Sequence, residues 1–153
     1  MAQVLVTKDY IPRKIFLNVR DIINSNISNI TTTYGVTIQT LTSAFPDKEI
    51  DNKASYPIVV VNPISFKQDS LTMGKVTANP TCIINVYSTS AEDLDKIMSA
   101  LIYYITANKK IFRCTCNTPL TAINSAGADT VIRSGMKIHN NNLVLTFRFD
   151  YDW

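Results

Sequence analysis

The chain contains little of what catalytic and metal-binding sites are made from. Among its 153 residues there are one histidine, His139, four separate glycines and three cysteines. The pair Cys114 and Cys116 has one residue between its members, which is too tight a spacing for the usual zinc motif. The glycines form no phosphate-binding loop, and His139 is predicted to lie in a surface turn. We therefore expect no metal, no cofactor and no enzymatic activity, with reduced thiols and Cys82 in the core.

Long hydrophobic runs are absent as well. The run from Ile58 to Val61 is far short of the roughly 20 apolar residues that a membrane-spanning helix needs. The N-terminus MAQVLVTKDY lacks the charged and then apolar layout of a signal peptide. A chain with 46% hydrophobic and 18% charged residues is ordinary for one globular domain. The sequence thus predicts a soluble protein, not secreted by the usual route, in which residues 1–153 form a single domain.

The charge of the chain is small but unevenly placed. The formal net charge is +3. Residues 101–153 hold six basic groups against three acidic ones, so this third of the chain carries a local excess of positive charge. Two interpretations are open: a solvated basic face, or a surface that attracts a nucleic acid or an acidic partner. The basic residues are Lys109, Lys110, Arg113, Arg133, Lys137 and Arg148.

Apolar residues recur at spacings of three and four in two segments, which predicts two amphipathic helices. The first follows Tyr10, tolerates Pro12 in its first turn and ends at Gly35. The second begins at Ser90, a good capping residue, and has acidic residues in its first turn, where the helix dipole favours them. Its apolar stripe is predicted to pack on a sheet and consists of Leu94, Ile97, Met98, Leu101, Ile102 and Ile105.

Period-two alternation and β-branched residues predict strands in several places. These are residues 34–42, residues 58–66 with apolar side chains on both faces, residues 81–89, and a final hairpin of residues 131–138 and 143–151 that turns at the intervening HNNN. In the final strand, Leu145, Phe147 and Phe149 share the face expected to meet the second helix. The elements together predict an α/β (α+β) fold: a single domain with a mainly antiparallel or mixed sheet and two amphipathic helices packed on it.

The connections between these elements differ in length and character. Residues 111–116 are predicted to be extended and residues 117–129 to form a loop. The segment from Lys67 to Asn79 is predicted to be a loop, and it is longer than two adjacent antiparallel strands require. It is either a variable hairpin tip or a contact loop used in assembly. In the second case the expected contact residues are Lys67, Asp69 and Lys75.

Three segments resemble those of a known protein family. They are YPIVVVNPISF at residues 56–66, TCIINVYSTSAEDLDKIMSAL at residues 81–101, and LVLTFRFDYDW at the C-terminus. The order of helix, connector, strand, long loop, strand, helix and terminal strands is similar to that of the tail terminator (tail completion) proteins of long-tailed bacteriophages and related prophages and archaeal viruses. The resemblance covers most of the chain, but the first helix and residues 111–128 match it only in general character.

The resemblance implies a role in the virion. Proteins of that family form a hexameric ring that caps the tail tube and joins it to the head-side connector or head-closure protein, with viral DNA passing through the lumen without sequence specificity. The chain would then bind copies of itself and these partners, without membrane or cofactor, and would assemble in the host cytoplasm. Because a closed ring needs a heterologous contact, each subunit should carry two unlike surfaces.

Other functions remain open at this point. The chain could be another component of the head–tail neck, a tail tube subunit or part of a secretion apparatus, since these also assemble into rings. It could instead be a small nucleic-acid-binding α/β domain that uses its basic C-terminal third. In that case its affinity would fall steeply with salt concentration.

Overall fold

Two β-sheets and three α-helices make up the part of the chain that the computed structural model describes, which is residues 11–65, 68–72, 75–116 and 118–152. The helices are α1 (Ile11–Tyr34), α2 (Ala91–Ala107) and α3 (Lys110–Cys116). The larger sheet contains β1 (Thr40–Thr42), β2 (Ile58–Val61), β5 (Thr81–Ser88), β6 (Leu120–Arg133) and β7 (Met136–Phe147). The smaller sheet contains β3 (Gln68–Thr72), β4 (Lys75–Ala78) and β8 (Phe149–Asp152). Two short 3-10 helices, Glu49–Asp51 and Lys53–Ser55, lie in the connector between β1 and β2.

The larger sheet has the strand order β1-β2-β5-β7-β6. It is antiparallel apart from the parallel pair of β1 and β2. Its central strands β5 and β7 stay in register from Thr81, opposite Thr146, to Ser88, opposite His139. The smaller sheet has the order β3-β4-β8, and only Arg148 separates β8 from β7. This mixed, mainly antiparallel architecture with packed helices confirms the predicted fold class.

One face of the larger sheet packs against the helices and forms the main core. The inward side chains of α2 and β7 belong to one cluster of buried residues, as the helical spacing predicted. Ile102 is the exception, because it is 40% exposed. It follows Leu101 by one residue and is therefore rotated roughly 100° away from the middle of the stripe. The buried members from α2 and β7 are Leu94, Ile97, Met98, Ala100, Leu101, Ile105, Leu143, Leu145 and Phe147.

Local chemistry explains where α1 ends and where α2 begins. Gly35 closes α1 with a φ of 73°, a conformation that a residue without Cβ adopts readily, and its N–H donates to the Thr31 carbonyl at 3.1 Å. Ser90 caps α2, since its Oγ accepts the Asp93 N–H at 3.3 Å. Both predicted boundaries are confirmed. Among the described helices there is none with the length and hydrophobicity needed to cross a bilayer.

The opposite face of the larger sheet is covered in part by the connector between β1 and β2. Ile50 and Tyr56 of this connector are buried against Ile58, Val60 and Ile138. The Tyr56 hydroxyl donates to the Ile50 carbonyl, so the polar end of the ring is satisfied inside this small cluster. All of β2 is consequently buried on both faces, as its apolar sequence predicted.

The predictions for residues 111–116 and 120–129 are wrong, and Asn117 lies outside the described residues. Residues 111–116 belong to helix α3, because one helical turn carries Phe112 into the core, where it is fully buried against Phe147. From Leu120 onward the predicted loop is strand β6, which pairs with β7. Its many small and polar residues have low strand propensity, and the long partner strand overrides that preference.

Other predicted strand boundaries also change. The predicted hairpin turn at residues 139–142 is wrong, because these residues lie within β7 and the chain turns at Ser134 and Gly135 instead. Of the predicted strand 58–66, only Ile58–Val61 forms β2, and Phe66 lies outside the described residues. Of the predicted strand 34–42, only Thr40–Thr42 forms a strand, which pairs with β2. Tyr34 still belongs to α1. The predicted final strand 143–151 divides at Arg148 into the end of β7 and the separate strand β8, which joins the smaller sheet. The alternation of side chains continues across this division, and for that reason the sequence pattern reads as one strand.

Candidate assembly surface

The predicted contact loop from Lys67 to Asn79 is mainly a hairpin. β3 pairs antiparallel with β4, and β4 pairs with β8 so that Lys75 lies opposite Asp152. The segment is long because it supplies two strands, so its length no longer indicates a spare loop. Asp69 lies in β3 and Lys75 begins β4, whereas Lys67 lies outside the described residues. Their part in assembly stays a prediction.

A longer hairpin, formed by β6 and β7, extends beyond the core. It turns at Ser134 and Gly135, whose φ values are 52° and 76°, the positive values that a two-residue type I′ turn requires. The described side chains of residues 127–135 are exposed. Among them Val131 is 47% and Ile132 is 79% exposed, on opposite faces of the strand. Adjacent exposed β-branched residues on a projecting hairpin mark it as a candidate contact surface.

The tip of this hairpin is fastened to the connector between β1 and β2. Arg133 Nε lies 2.8 Å from Asp51 Oδ1, and the Ser134 hydroxyl donates to the same oxygen at 2.9 Å. The Arg133 guanidinium also lies 6.0 Å from the centre of the Phe45 ring. The hydrogen bond from Ser134, followed by that from Arg133, holds the pKa of the Asp51 carboxyl below its usual value. These contacts therefore favour the ionised form of Asp51.

Lowering the pH should loosen the hairpin tip. Because the pKa of Asp51 is lower in the folded chain, its contacts contribute fully above the unfolded carboxyl pKa of about 3.9 and are lost as the pH falls through the folded pKa. At neutral pH, Asp51→Ala should accelerate amide hydrogen exchange at residues 131–136, measured by NMR. Asp47→Ala removes another exposed carboxylate of the same connector and should not. Equal rates in Asp51→Ala and the native chain would show that this contact does not hold the tip.

Both outer edges of the larger sheet are open within the described chain. At one end, the 14 residues of β6 have β7 as their only neighbouring strand. At the other end, the three residues of β1 pair with β2 alone and are half-buried. The unpaired N–H and C=O groups of such edges can accept a further strand. The two edges are unlike each other in length and sequence.

A basic groove lies where α3 meets the start of β6. Its cavity of about 290 Å³ is lined by Lys109, Lys110, Arg113, Pro119 and Leu120. Arg148 lies beside Arg113 in an adjoining depression, and its Nε is 3.2 Å from Asp150 Oδ2. The acidic first turn of α2 lies at the other end of that helix, about 25 Å away for 17 residues. The groove could attract a phosphate backbone or an acidic protein surface.

Cys82 and His139 have potentially reactive side chains, but both lie within strands of the larger sheet. Cys82 is fully buried, as predicted, and burial raises the pKa of its thiol to about 12. His139 lies within β7 and not in a turn, and its Nδ1 is 3.2 Å from Thr130 Oγ1 on the paired strand. In the portion of the chain that is described, no three His, Cys, Asp or Glu side chains lie close enough to hold a metal ion.

The exposed hairpin was not among the predicted site residues. One signal could have located its turn, since Ser134-Gly135 is a dipeptide typical of turns and is followed by residues with strand character. The sequence of β6 before it is LTAINSAGADTVIR. Its Gly, Ala, Ser and Asn residues are typical of loops, which is why the strand was missed.

Comparison with known proteins shows similarity at the level of the fold. No family model matches the sequence, and no curated protein matches it. Among solved structures, 31 chains match. One of these is a chain of the "Virion of native gene transfer agent (GTA) particle", with a TM-score of 0.53 and 12% sequence identity, covering 88% of this chain and 92% of that chain. At this identity the likeness shows a shared fold, which extends over nearly the whole of both chains.

Proposed function

We propose that this chain is a structural protein of a phage-like virion that forms a ring in the tail. The ring caps the tail tube, joins it to the head-side connector or head-closure protein, and lets viral DNA pass through its lumen without reading its sequence. We expect a hexamer that needs no cofactor and performs no enzymatic reaction. The subunits assemble in the host cytoplasm and remain in the virion.

The shared fold with a chain of a gene transfer agent virion carries this proposal. Because the match spans 88% of this chain and 92% of that one, it relates the whole architecture and not a single helix–strand unit. It points in the same direction as the resemblance to tail terminator proteins. Of the segments behind that resemblance, residues 56–66 contain β2 and residues 81–101 contain β5 and much of α2.

The surface of the chain also suits a ring. A closed ring needs two unlike patches on every subunit, each contacting a different neighbour. The larger sheet ends in two unlike open edges, β1 and β6. In addition, the acidic first turn of α2 and the basic residues Lys109 and Lys110, which follow the end of that helix, are separated by its length. These pairs of unlike features support a heterologous contact between copies.

Mass measurement at micromolar concentration, combined with electron microscopy, tests the proposal. We expect particles with a central hole and six times the 17.1 kDa mass of the chain. When tail tubes are added, the protein should bind at a tube end and not along the sides. If the protein stayed monomeric within finished particles, or bound tubes along their length, the proposed capping ring would be wrong.

The basic groove favours a second candidate function, a nucleic-acid-binding domain. A protein that neutralises several phosphates binds with an affinity that falls steeply as salt concentration rises. Lys110→Glu combined with Arg113→Glu should then abolish binding to duplex DNA, measured by fluorescence anisotropy at two salt concentrations. Lys53→Glu combined with Lys137→Glu makes the same charge change away from the groove and should not. Normal ring assembly by the groove variant would favour the virion role.

A further inference from the structure

The outer edge of β6 has no neighbouring strand within the described chain, and neither the core packing nor the hairpin turn requires it to stay open. After a bulge between Ser125 and Ala128, the strand is regular as far as Arg133. Natural proteins usually blunt a strand edge with charged residues, proline, a bulge or a very short strand. Beyond its bulge β6 contains neither proline nor lysine, its Arg133 is paired with Asp51, and it exposes Val131 and Ile132. Such an edge is a template for another strand.

We propose that residues 128–130 of β6 pair antiparallel with residues 39–41, at the β1 edge, of a second copy of this chain. The larger sheet would then continue from subunit to subunit. The inference rests on the proposed ring and assigns the contact between its neighbouring subunits. Strand addition supplies affinity through main-chain hydrogen bonds, so it needs no preformed groove at either edge.

The directions of the strands favour a second copy as the partner. β1 is parallel to β2, and each following neighbour in the order β2-β5-β7-β6 reverses direction. After three reversals, β6 runs opposite to β1. A copy related by rotation about an axis along the strands therefore presents its β1 antiparallel to β6. This contact is heterologous and repeats around a closed ring.

The register of the sheet places the two edges at the same level. One row of paired residues crosses all five strands, namely Thr40, Ile58, Tyr87, Asn140 and Asp129. Repetition around a ring without a shift along the strands brings Thr40 of one copy opposite Asp129 of the next.

The charges near the two edges are complementary as well. Arg13 lines a depression together with Ser43, directly after β1, whereas Asp129 is an exposed carboxylate on β6. Opposite charges at the two edges favour β1 against β6 over β6 against β6, which would bring two copies of Asp129 to one contact.

Disulfide trapping tests the contact. Thr40→Cys and Asp129→Cys are made as separate proteins in a Cys114→Ser, Cys116→Ser background, mixed, and mildly oxidised. Directly opposed residues of an antiparallel pair have Cα atoms about 4.5 to 5.5 Å apart, which is within the range of a disulfide. We expect a covalent dimer in the mixture and none from either protein alone. Ser99→Cys, on the exposed side of α2, replaces Thr40→Cys as the control and should give no dimer.

A proline substitution tests the edge without engineered thiols. Arg133 and Met136 flank the two-residue turn and exchange both hydrogen bonds, so the alternation of antiparallel pairs directs the Thr130 N–H to the open edge. Within the chain this N–H contacts Asp129 Oδ1 at 2.8 Å. Thr130→Pro should raise the protein concentration needed for ring assembly about tenfold, which corresponds to about 1.4 kcal/mol. Thr130→Val keeps the N–H and removes the hydroxyl, and it should assemble normally.

The outcomes separate this inference from the proposed function. If native rings form, Thr130→Pro assembles equally well and the mixture gives no disulfide, the edge contact is wrong and the ring stands. A disulfide from Asp129→Cys alone would indicate an isologous pair of β6 edges and would also overturn the inference. A disulfide in the mixture, from a chain that never forms a ring, would support the edge contact and refute the ring. Thermal unfolding of each variant establishes that it is folded.

Discussion

Leu101→Ala should lower the free energy of unfolding by about 2 to 5 kcal/mol, the range found when buried leucines are truncated. Leu101 is 1% exposed and belongs to the cluster in which α2 packs against β7. Its removal takes apolar surface out of that contact and leaves a cavity that rigid strands on the opposite side cannot fill. Urea unfolding, followed by circular dichroism at a concentration where the chain is monomeric, measures the change.

Ile102→Ala is the matched control on the next residue of the same helix. Ile102 is 40% exposed, and alanine has the higher helix propensity, so we expect a change of less than about 1 kcal/mol. The two substitutions remove similar amounts of hydrocarbon and differ chiefly in burial. If both changed the stability equally, or if Leu101→Ala cost less than half a kcal/mol, the assignment of the α2 core face would be wrong.

Local patterns in the sequence were sufficient for the two long helices α1 and α2 and for the strands β2 and β5. The boundaries of α1 and α2 follow from residues that act within one turn, namely Gly35 at the end of one and Ser90 at the start of the other. β2 and β5 are rich in β-branched residues, and their apolar positions match their burial. In these elements the local propensity and the tertiary environment agree, which makes a single sequence informative.

The sequence was misleading where distant pairing decides the structure. β6 has loop-like composition and exists because β7 lies beside it over most of its length. Similarly, β8 leaves the sheet of β7 after Arg148 to join β4, a strand more than 70 residues earlier in the chain. Periodicity describes which side chains share a face, but it does not identify the neighbouring strand.

The candidate site was the least predictable part for the same reason. The length of the segment from Lys67 to Asn79 suggested a spare loop, but β4 uses that length to pair with both β3 and β8. An open edge, by contrast, is a property of the strand order, and single-sequence patterns do not contain that order. The open edge of β6 could be recognised only after the whole sheet was known. The same holds for the contact between Arg133 at the hairpin tip and Asp51.

Phe147→Ala should be at least as damaging as Leu101→Ala, with an expected loss of about 3 to 5 kcal/mol in the free energy of unfolding. Phe147 is fully buried at the end of β7. Its ring meets that of Phe112 edge to face, with centroids 4.8 Å apart and an interplanar angle of 65°. The pair connects α3 to the sheet, so the substitution removes core volume and also the packing that holds α3 in place.

A double-mutant cycle isolates this aromatic contact. We expect Phe112→Ala and Phe147→Ala to be non-additive, with a coupling energy of about 0.5 to 1.5 kcal/mol for an edge-to-face pair. Tyr103 and Tyr104 are the control pair, since their centroids are 5.1 Å apart at 84° but Tyr103 is 59% exposed. Tyr103→Ala should therefore cost far less than either phenylalanine truncation. Strictly additive effects at Phe112 and Phe147 would mean that the two rings stabilise the fold independently, and that α3 is held by contacts other than this pair.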